Sequence, residues 1–414
     1  MPEAVVHRVT IYPLSIPMRR KVSHAAAERT TADPIVVAVE LTNGTIGYGE
    51  TLARDYVTGE TRASVVVAIE RVIAPAIVRF HARSLPDALE ALESLPWHDR
   101  HGRPIPAARA AVELALLDAV LRTYGRGMDD VVAWMGLPGF GEPGSLTRIR
   151  YSGVLAASKP ESVLRQLRAM YWGGLRHFKL KVGTPNDRAS LERVARYLRR
   201  PIARGRVTLR VDANGSWSLG EADEWLRETS SVAGVEQPLA RYSEGDLEEL
   251  IRRKRVTVGE PASPVGSRSG SRRLDRLLIH DESLLVIDDA HRLIRSGVAG
   301  GFNIRISKCG GLIPSLRIAA LALRSGVAIQ LGCMVGETSI LSAAGLRFLS
   351  VCPRVLWAEG CFGSFLLSGD VVAKPLRFGY GGRPPRIDSR GLGVEVDPQR
   401  LAALADSSPI VMNL

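Results

Sequence analysis

Apolar residues along this chain change their period from segment to segment. In the first fifty residues, VVHRVTIYPLSIPM and PIVVAVEL are rich in β-branched side chains and read as strands. TNGT, Thr42 to Thr45, carries an Asn-Gly turn signal, with IGYGE as the return strand. From Ala63 to Phe80 and from Pro106 to Tyr124, apolar residues recur every three or four positions, the helical period. Residues 1–135 therefore predict a front α+β domain. The Gly/Pro-rich stretch GLPGFGEPGSLTR then reads as a linker. Its GxGxxG, Gly139 to Gly144, lacks the preceding strand and following helix that a dinucleotide site needs.

Beyond the linker, eight short apolar runs alternate with helical stretches: RIRYSGVL, HFKLKV, VTLRVDA, VAGVEQP, RLLIHDE, GFNIRISK, VAIQLGC and RVLWAEG. Strand–helix alternation of this kind predicts a parallel sheet, and eight units over residues 136–364 favour a closed ring over an open sheet. The fold class is α/β: a modified (β/α) TIM barrel with a separate front domain. Residues 365–414, with FGYGGRPP and GLGVEV, read as an extended C-terminal tail packed on the rest.

Composition narrows the class. The 414 residues are 45% hydrophobic and 24% charged, ordinary for a globular protein with a large core. No run of about 18 apolar residues is free of charge, which argues against a membrane-spanning helix. The opening MPEAVVHRVTIYPLSIPM lacks the pattern of a secretory signal, so a cytoplasmic location is expected. None of the four cysteines forms a CxxC pair and the histidines lack zinc-site spacing, consistent with free thiols in a reducing compartment. The net charge of +12 raises the question of nucleic acid. Arg252, Arg253, Lys254 and Arg255, then Arg268, Arg272, Arg273 and Arg276, form the basic clusters, but no recognised motif or interleaved aromatic accompanies them. A solvated basic surface is the preferred reading, and nucleic acid is disfavoured. The Gly/Ser/Arg-rich insertion around residues 262–276 falls between a helix and the next strand. That is the face of a barrel away from chemistry, and suits a surface or assembly feature.

The candidate chemistry stands at the C-terminal ends of the predicted strands, where barrel enzymes place their sites. In RHFKLKVG, Lys179 and Lys181 are two apart and so share a face. Later strands end in Asp212 and Asn214, in Glu236, in Asp281 and Glu282, in Lys308, and in Glu337. Taken singly, each has a plain explanation: Asp212, Asp281 and Glu337 suit helix caps, and Lys179 a surface lysine. As an ordered set they suggest more. Asp212, Glu236 and Asp281 on successive strands would repel one another unless a cation lay among them, and an all-oxygen set suits Mg²⁺. Burial, a neighbouring ammonium and a dication would each lower a lysine's pKa toward that of a working base.

The ordered motifs KxK, DxN, E, DE, K and E resemble the enolase superfamily, in its mandelate racemase/muconate lactonizing enzyme-like subgroup. The resemblance covers nearly the whole chain and implies that the front domain is a capping domain over the barrel mouth. It implies that Lys181 and Lys308 form the acid/base pair, with Lys179 in support. Asp212, Glu236 and Asp281 would hold Mg²⁺ (or Mn²⁺), Asn214 and Glu282 would lie beside them, and Glu337 would sit at the substrate carboxylate. The implied activity is abstraction of the α-proton of a carboxylate through an enediolate, giving racemisation, epimerisation or cycloisomerisation. An o-succinylbenzoate synthase-like dehydration is the alternative on the same site. Arg19, Arg20, Lys21, His24, Arg54 and Tyr56 in the front domain are specificity candidates. So is Glu359 in WAEGCFGSFLL, where dipeptide epimerases typically carry Asp-x-Asp. The missing pair disfavours a usual dipeptide substrate. Expected partners are a small carboxylate and further copies of the chain, with no membrane. Three readings from other classes remain: a Schiff-base lysine enzyme, an inactive barrel acting as a binding protein, and nucleic-acid binding through the basic insertion.

Overall fold

The computed structural model describes residues 3–24, 27–142, 145–156, 159–183, 186–229, 231–259, 276–388 and 390–414. Most of the basic insertion, residues 260–275, lies outside the described residues.

The front domain opens with β1 (Ala4–Pro13), β2 (Ile16–His24), β3 (Ala27–Ala32), β4 (Ile35–Leu41) and β5 (Ile46–Thr51). The single first run of the sequence is thus two strands, broken after Pro13, where Leu14 donates to Pro34 O and Ser15 to Leu404 O. β2 and β3 form a separate hairpin, while β1, β4 and β5 form an antiparallel sheet that short β6 (His81–Ala82) joins at β1. The Asn-Gly turn joins β4 to β5: Gly44 has φ 83° and Asn43 Oδ1 accepts from Thr45 N at 2.9 Å. The helix Pro106–Tyr124 lies flat on β5. The approach is so close that a Cβ on Gly49 would stand 2.0 Å from Ala111 O. The helical run of residues 63–80 is interrupted by a π-turn over Ile69–Ile73, where Ala74 N donates to Ile69 O. Pro75 follows immediately and supplies no N–H to the helix.

All eight predicted barrel strands form: β7 (Gly153–Leu155), β8 (His177–Lys181), β9 (Thr208–Asp212), β10 (Gly234–Glu236), β11 (Leu277–His280), β12 (Gly301–Ile304), β13 (Ala328–Leu331) and β14 (Trp357–Ala358). They are parallel and pair in chain order. The ring closes where Ser152 N donates to Ala358 O at 2.8 Å. The tail crosses back to the front domain, and β15 (Ile410–Asn413) pairs with β1.

Buried carboxylates fasten the front domain to the barrel. Glu50, at the end of β5, accepts from Thr338 N (2.8 Å), Thr338 Oγ1 (2.7 Å) and Leu341 N (2.9 Å), at the start of the helix Ser339–Val351. Glu113 accepts from Leu312 N (3.1 Å) and Ile313 N (2.8 Å), opening the helix Leu312–Arg324. Each occupies orphan donors at a helix N-terminus, where the helix dipole also favours negative charge. Burial still pushes the carboxyl groups of Glu50 and Glu113 up to about 7.

On the surface, Arg252 and Arg253 pair with Glu249, and Arg255 pairs with Asp223. Among the described residues, no helix is long and apolar enough to cross a membrane.

Candidate active site

Strand register decides which side chains meet inside the barrel. Lys179 stands opposite Arg210, Lys181 opposite Asp212, and Asp212 opposite Glu236 on the neighbouring strand. Alternation sends these residues into the ring, where a barrel more often packs branched aliphatics.

At the upper rim, oxygens of Asp212, Glu236 and Asp281 lie within 4.8 Å of one another, and all three residues are buried. Three carboxylate oxygens gathered in a buried space, from three adjacent strands, are the donor set of a hard divalent cation. The residues present therefore fit such an ion.

Cations surround the triad. Lys181 Nζ donates to Asp212 Oδ2 (2.6 Å) and Asn214 Oδ1 (3.0 Å). Lys308 Nζ donates to Asp281 Oδ1 (2.8 Å), Asp281 O (2.6 Å) and Asn303 O (2.9 Å). β8 and β12 are four places apart in the ring of eight, so Lys181 and Lys308 approach from opposite sides. Burial pushes Lys308 down to about 8. Asp212 would be raised by its burial, but Lys181 and Lys179 outweigh that and hold it well below the usual carboxylate range.

Lys179 lies deeper, with Nζ 3.1 Å from Glu236 Oε1, 3.4 Å from Asp212 Oδ2 and 2.7 Å from Glu359 Oε2. Burial disfavours its charge, yet Glu236, Glu359 and Asp212 together raise its pKa. It is a fixed ammonium under the triad. Glu282 takes a hydrogen bond from Asn214 Nδ2 at 3.0 Å, and burial together with Asp212 raises its pKa. Glu337 accepts from Met334 N and lines a small cavity with Tyr151, Cys333 and Glu359. Burial pushes its carboxyl up to about 8.

The specificity candidates scatter. Glu359 is inside the barrel, with one oxygen on Lys179 and the other 3.2 Å from Arg210 Nη2. Burial would raise it, but those two cations hold it down. Arg54 is buried in the joint between the domains, where it pairs with Asp33 at 2.9 Å and donates to Val335 O at 3.2 Å. Arg54 is thus a strut, and Glu359 a counter-ion beneath the site; neither is a free group on a lid. Arg19 Nε donates to Leu367 O at 2.7 Å, tying the β2–β3 hairpin to the segment after β14. Tyr56 is half-buried in the short helix Asp55–Thr58. Arg20 and His24 lie on β2, and their side chains are outside the described residues.

Four interior residues escaped the sequence reading. Asn303 Nδ2 and Gln330 Nε2 each donate to Glu236 at 2.8 Å. Arg210 bonds Gln330 and Ser152 and stacks on Trp357, 4.7 Å from the ring centroid. Arg305 bonds Asp281 Oδ2. The available signal was parity: Arg210 is two residues before Asp212, and Asn303 two before Arg305, so each pair shares a face.

Comparison with known proteins agrees with this geometry. Residues 7–132 match the mandelate racemase / muconate lactonizing enzyme N-terminal domain, and residues 162–400 the enolase C-terminal domain-like family. The chain is 25% identical over 407 residues to an N-succinyl-L-Arg/Lys racemase of Bacillus cereus, covering 97% of this chain and 98% of that protein. It is 30% identical over 374 residues to an L-Lys-D/L-Arg epimerase of Methylococcus capsulatus, covering 88% and 91%. The crystal structure of 2-chloromuconate cycloisomerase from Rhodococcus opacus 1CP superposes with a TM-score of 0.78 at 25% identity, covering 97% of this chain and all of that one. With both halves matched and the acidic triad set between two lysines at the barrel rim, this chain belongs to the enolase superfamily, in its mandelate racemase/muconate lactonizing enzyme group.

Proposed function

We propose that this protein is a Mg²⁺-dependent racemase or epimerase that moves the α-proton of a carboxylate whose α-nitrogen is acylated. One observation carries the reading: two lysines flank a buried carboxylate triad from opposite sides of the ring.

Asp212, Glu236 and Asp281 would hold the ion, which when bound supplies a positive centre for the negative charge that develops on the substrate carboxylate. The remaining work falls to this chain's own residues. Burial pushes Lys308 down to about 8, which brings its neutral amine within reach near neutral pH. As the amine, Lys308 Nζ takes the α-proton from one face. Lys181 Nζ, as the ammonium, returns a proton to the other face, so configuration inverts and the two lysines exchange protonation states. The opposite enantiomer runs the same exchange in reverse. Lys179 holds a positive charge beneath Glu236 and Asp212 and keeps both carboxylates in place. Glu282 and Asn214 steady Lys181.

The substrate class rests on Glu359. Its charge is matched by Lys179, 2.7 Å from Oε2, and by Arg210, 3.2 Å from Oε1, although Oε1 accepts no hydrogen bond, so β14 offers no uncompensated carboxylate to an α-ammonium. An N-acylated amino acid needs none, and a relative is named as acting on N-succinyl-Arg/Lys. A dicarboxylate without nitrogen meets the same condition, which keeps cycloisomerisation as the second reading.

The test is α-proton exchange in deuterated water with Mg²⁺. The panel holds N-acylamino acids, dipeptides and a muconate, followed by proton NMR and mass spectrometry. Wild type should racemise an N-acylamino acid with deuterium entering the α-position. Lys181→Ala and Lys308→Ala should each lose racemisation by at least about a thousandfold, yet each should still exchange one enantiomer. Loss of exchange with both enantiomers in both variants would reject the two-face assignment. Lactone formation from the muconate alone would move the protein to the second reading.

A further inference from the structure

We propose that Arg305 is the internal counter-cation of the carboxylate triad, and that a divalent ion binds by displacing its guanidinium from Asp281. The proposal rests on the metal-site reading above and concerns what sets the site's affinity.

Arg305 follows β12 and continues its alternation, so its side chain enters the ring beside that of Asn303. Its Nη2 bonds Asp281 Oδ2 and lies 3.9 Å from Glu236 Oε1. The rest of the guanidinium has weak company: Nη1 is 3.6 Å from the Met334 sulfur, and Nε is buried without a partner. Among the described residues, two of the three triad members are the carboxylates within ion-pair distance of Arg305, with Glu337 near enough to feel its charge.

Both oxygens of Asp281 are occupied, Oδ1 by Lys308 and Oδ2 by Arg305. The two cations differ in what they would lose. Lys308 keeps the carbonyls of Asp281 and Asn303 if it gives up Oδ1. Arg305 has no such alternative. A lysine can also shed its charge, whereas a guanidinium remains protonated at every working pH. An incoming dication at coordination distance from Asp281 would meet a fixed positive charge within a few ångströms, in a buried site where screening is weak. Arg305 therefore stabilises the metal-free triad and opposes the ion. Without it, Lys179, Lys181 and Lys308 would still face the triad, but Asp281 Oδ2 would lose its counter-cation, so the metal-free site would be less stable and would bind the ion more tightly.

The experiment is calorimetric titration of the chelator-stripped full chain with MgCl₂, for wild type, Arg305→Met, Arg305→Gln and Arg305→Lys. Thermal unfolding of each protein with and without Mg²⁺ would run beside it. Both neutral variants should bind Mg²⁺ at least about tenfold more tightly than wild type. Their metal-free forms should melt lower than metal-free wild type, and Mg²⁺ should raise their midpoints more. Arg305→Lys, which keeps the charge, should stay within about threefold of wild type. Arg305→Gln keeps an N–H for Asp281, so it carries the test should Arg305→Met fail to fold. Equal or weaker Mg²⁺ binding by the neutral variants, with wild type binding normally, would overturn the Arg305 assignment alone. No binding by any of the four proteins would instead overturn the metal site itself, and this inference with it.

Discussion

The joint between the front domain and the barrel can be tested at Glu50. This carboxyl, from the end of β5, satisfies two backbone N–H groups and one hydroxyl at the start of the helix Ser339–Val351. The group is fully buried, and burial outweighs those three hydrogen bonds, raising it to about 7. Glu50→Gln keeps one acceptor oxygen but turns an amide N–H₂ toward donors. Loss of one or two buried hydrogen bonds costs about 3 kcal/mol when wild-type Glu50 is protonated. The cost should then depend on pH in a defined direction. The folded-state pKa lies above the unfolded value of about 4.3, so the proton's contribution to wild-type stability is full below about pH 4 and lost as pH rises through about 7. Glutamine has no such dependence. Between pH 5 and pH 8 wild type gives up about 3 kcal/mol of its advantage, and most or all of the penalty for Glu50→Gln should be gone by pH 8. Urea unfolding of both proteins at pH 5, 6, 7 and 8, with chelator present throughout, would measure it. A penalty that stays constant or grows with pH would refute the reasoning. It would mean that the helix N-terminus, rather than burial, governs the charge of Glu50.

Further outcomes follow from the same packing. Gly49→Ala places a Cβ 2.0 Å from Ala111 O and 2.6 Å from Ala115 N, both backbone atoms that cannot move aside. It should cost more than about 3 kcal/mol or abolish soluble expression, whereas Gly44→Ala, with open space around it, should cost about 1 kcal/mol for its left-handed backbone. Lys179→Met removes the ammonium shared by Glu236, Asp212 and Glu359 and should destabilise the metal-free protein by about 3–5 kcal/mol in thermal unfolding. Adding Glu359→Gln to that variant should recover part of the loss, because one of the stranded carboxylates is gone; fully additive costs would show that the two do not interact.

Much of the candidate site was legible because a barrel strand obeys a period of two and ends facing one rim. That rule places Lys181, Asp212, Glu236 and Asp281 together from their order alone, whereas Lys308 lies in the turn past β12, off the period of two; the Asn-Gly turn and the eight apolar runs are local signals of the same kind. Local pattern also carried the long helix Pro106–Tyr124, but not the π-turn before Pro75, where the missing N–H acts against the periodicity. Partnership was not legible. Glu50 meets Thr338 across 288 positions, Glu113 meets Leu312 across 199, and neither end of either contact carries a local mark of the other. Arg54 and Glu359 look like free specificity groups in the sequence, and only closure of the ring and docking of the front domain bury each against a charge. The same holds for Arg305: its parity shows that it points inward, but its role depends on the carboxylates that β10 and β11 bring within reach. Sequence alone determined which residues end each strand and which face they share, because strand geometry is local. The tertiary structure decided which charges neutralise which, because that depends on the ring's closure and on burial, and neither is a property of any one segment.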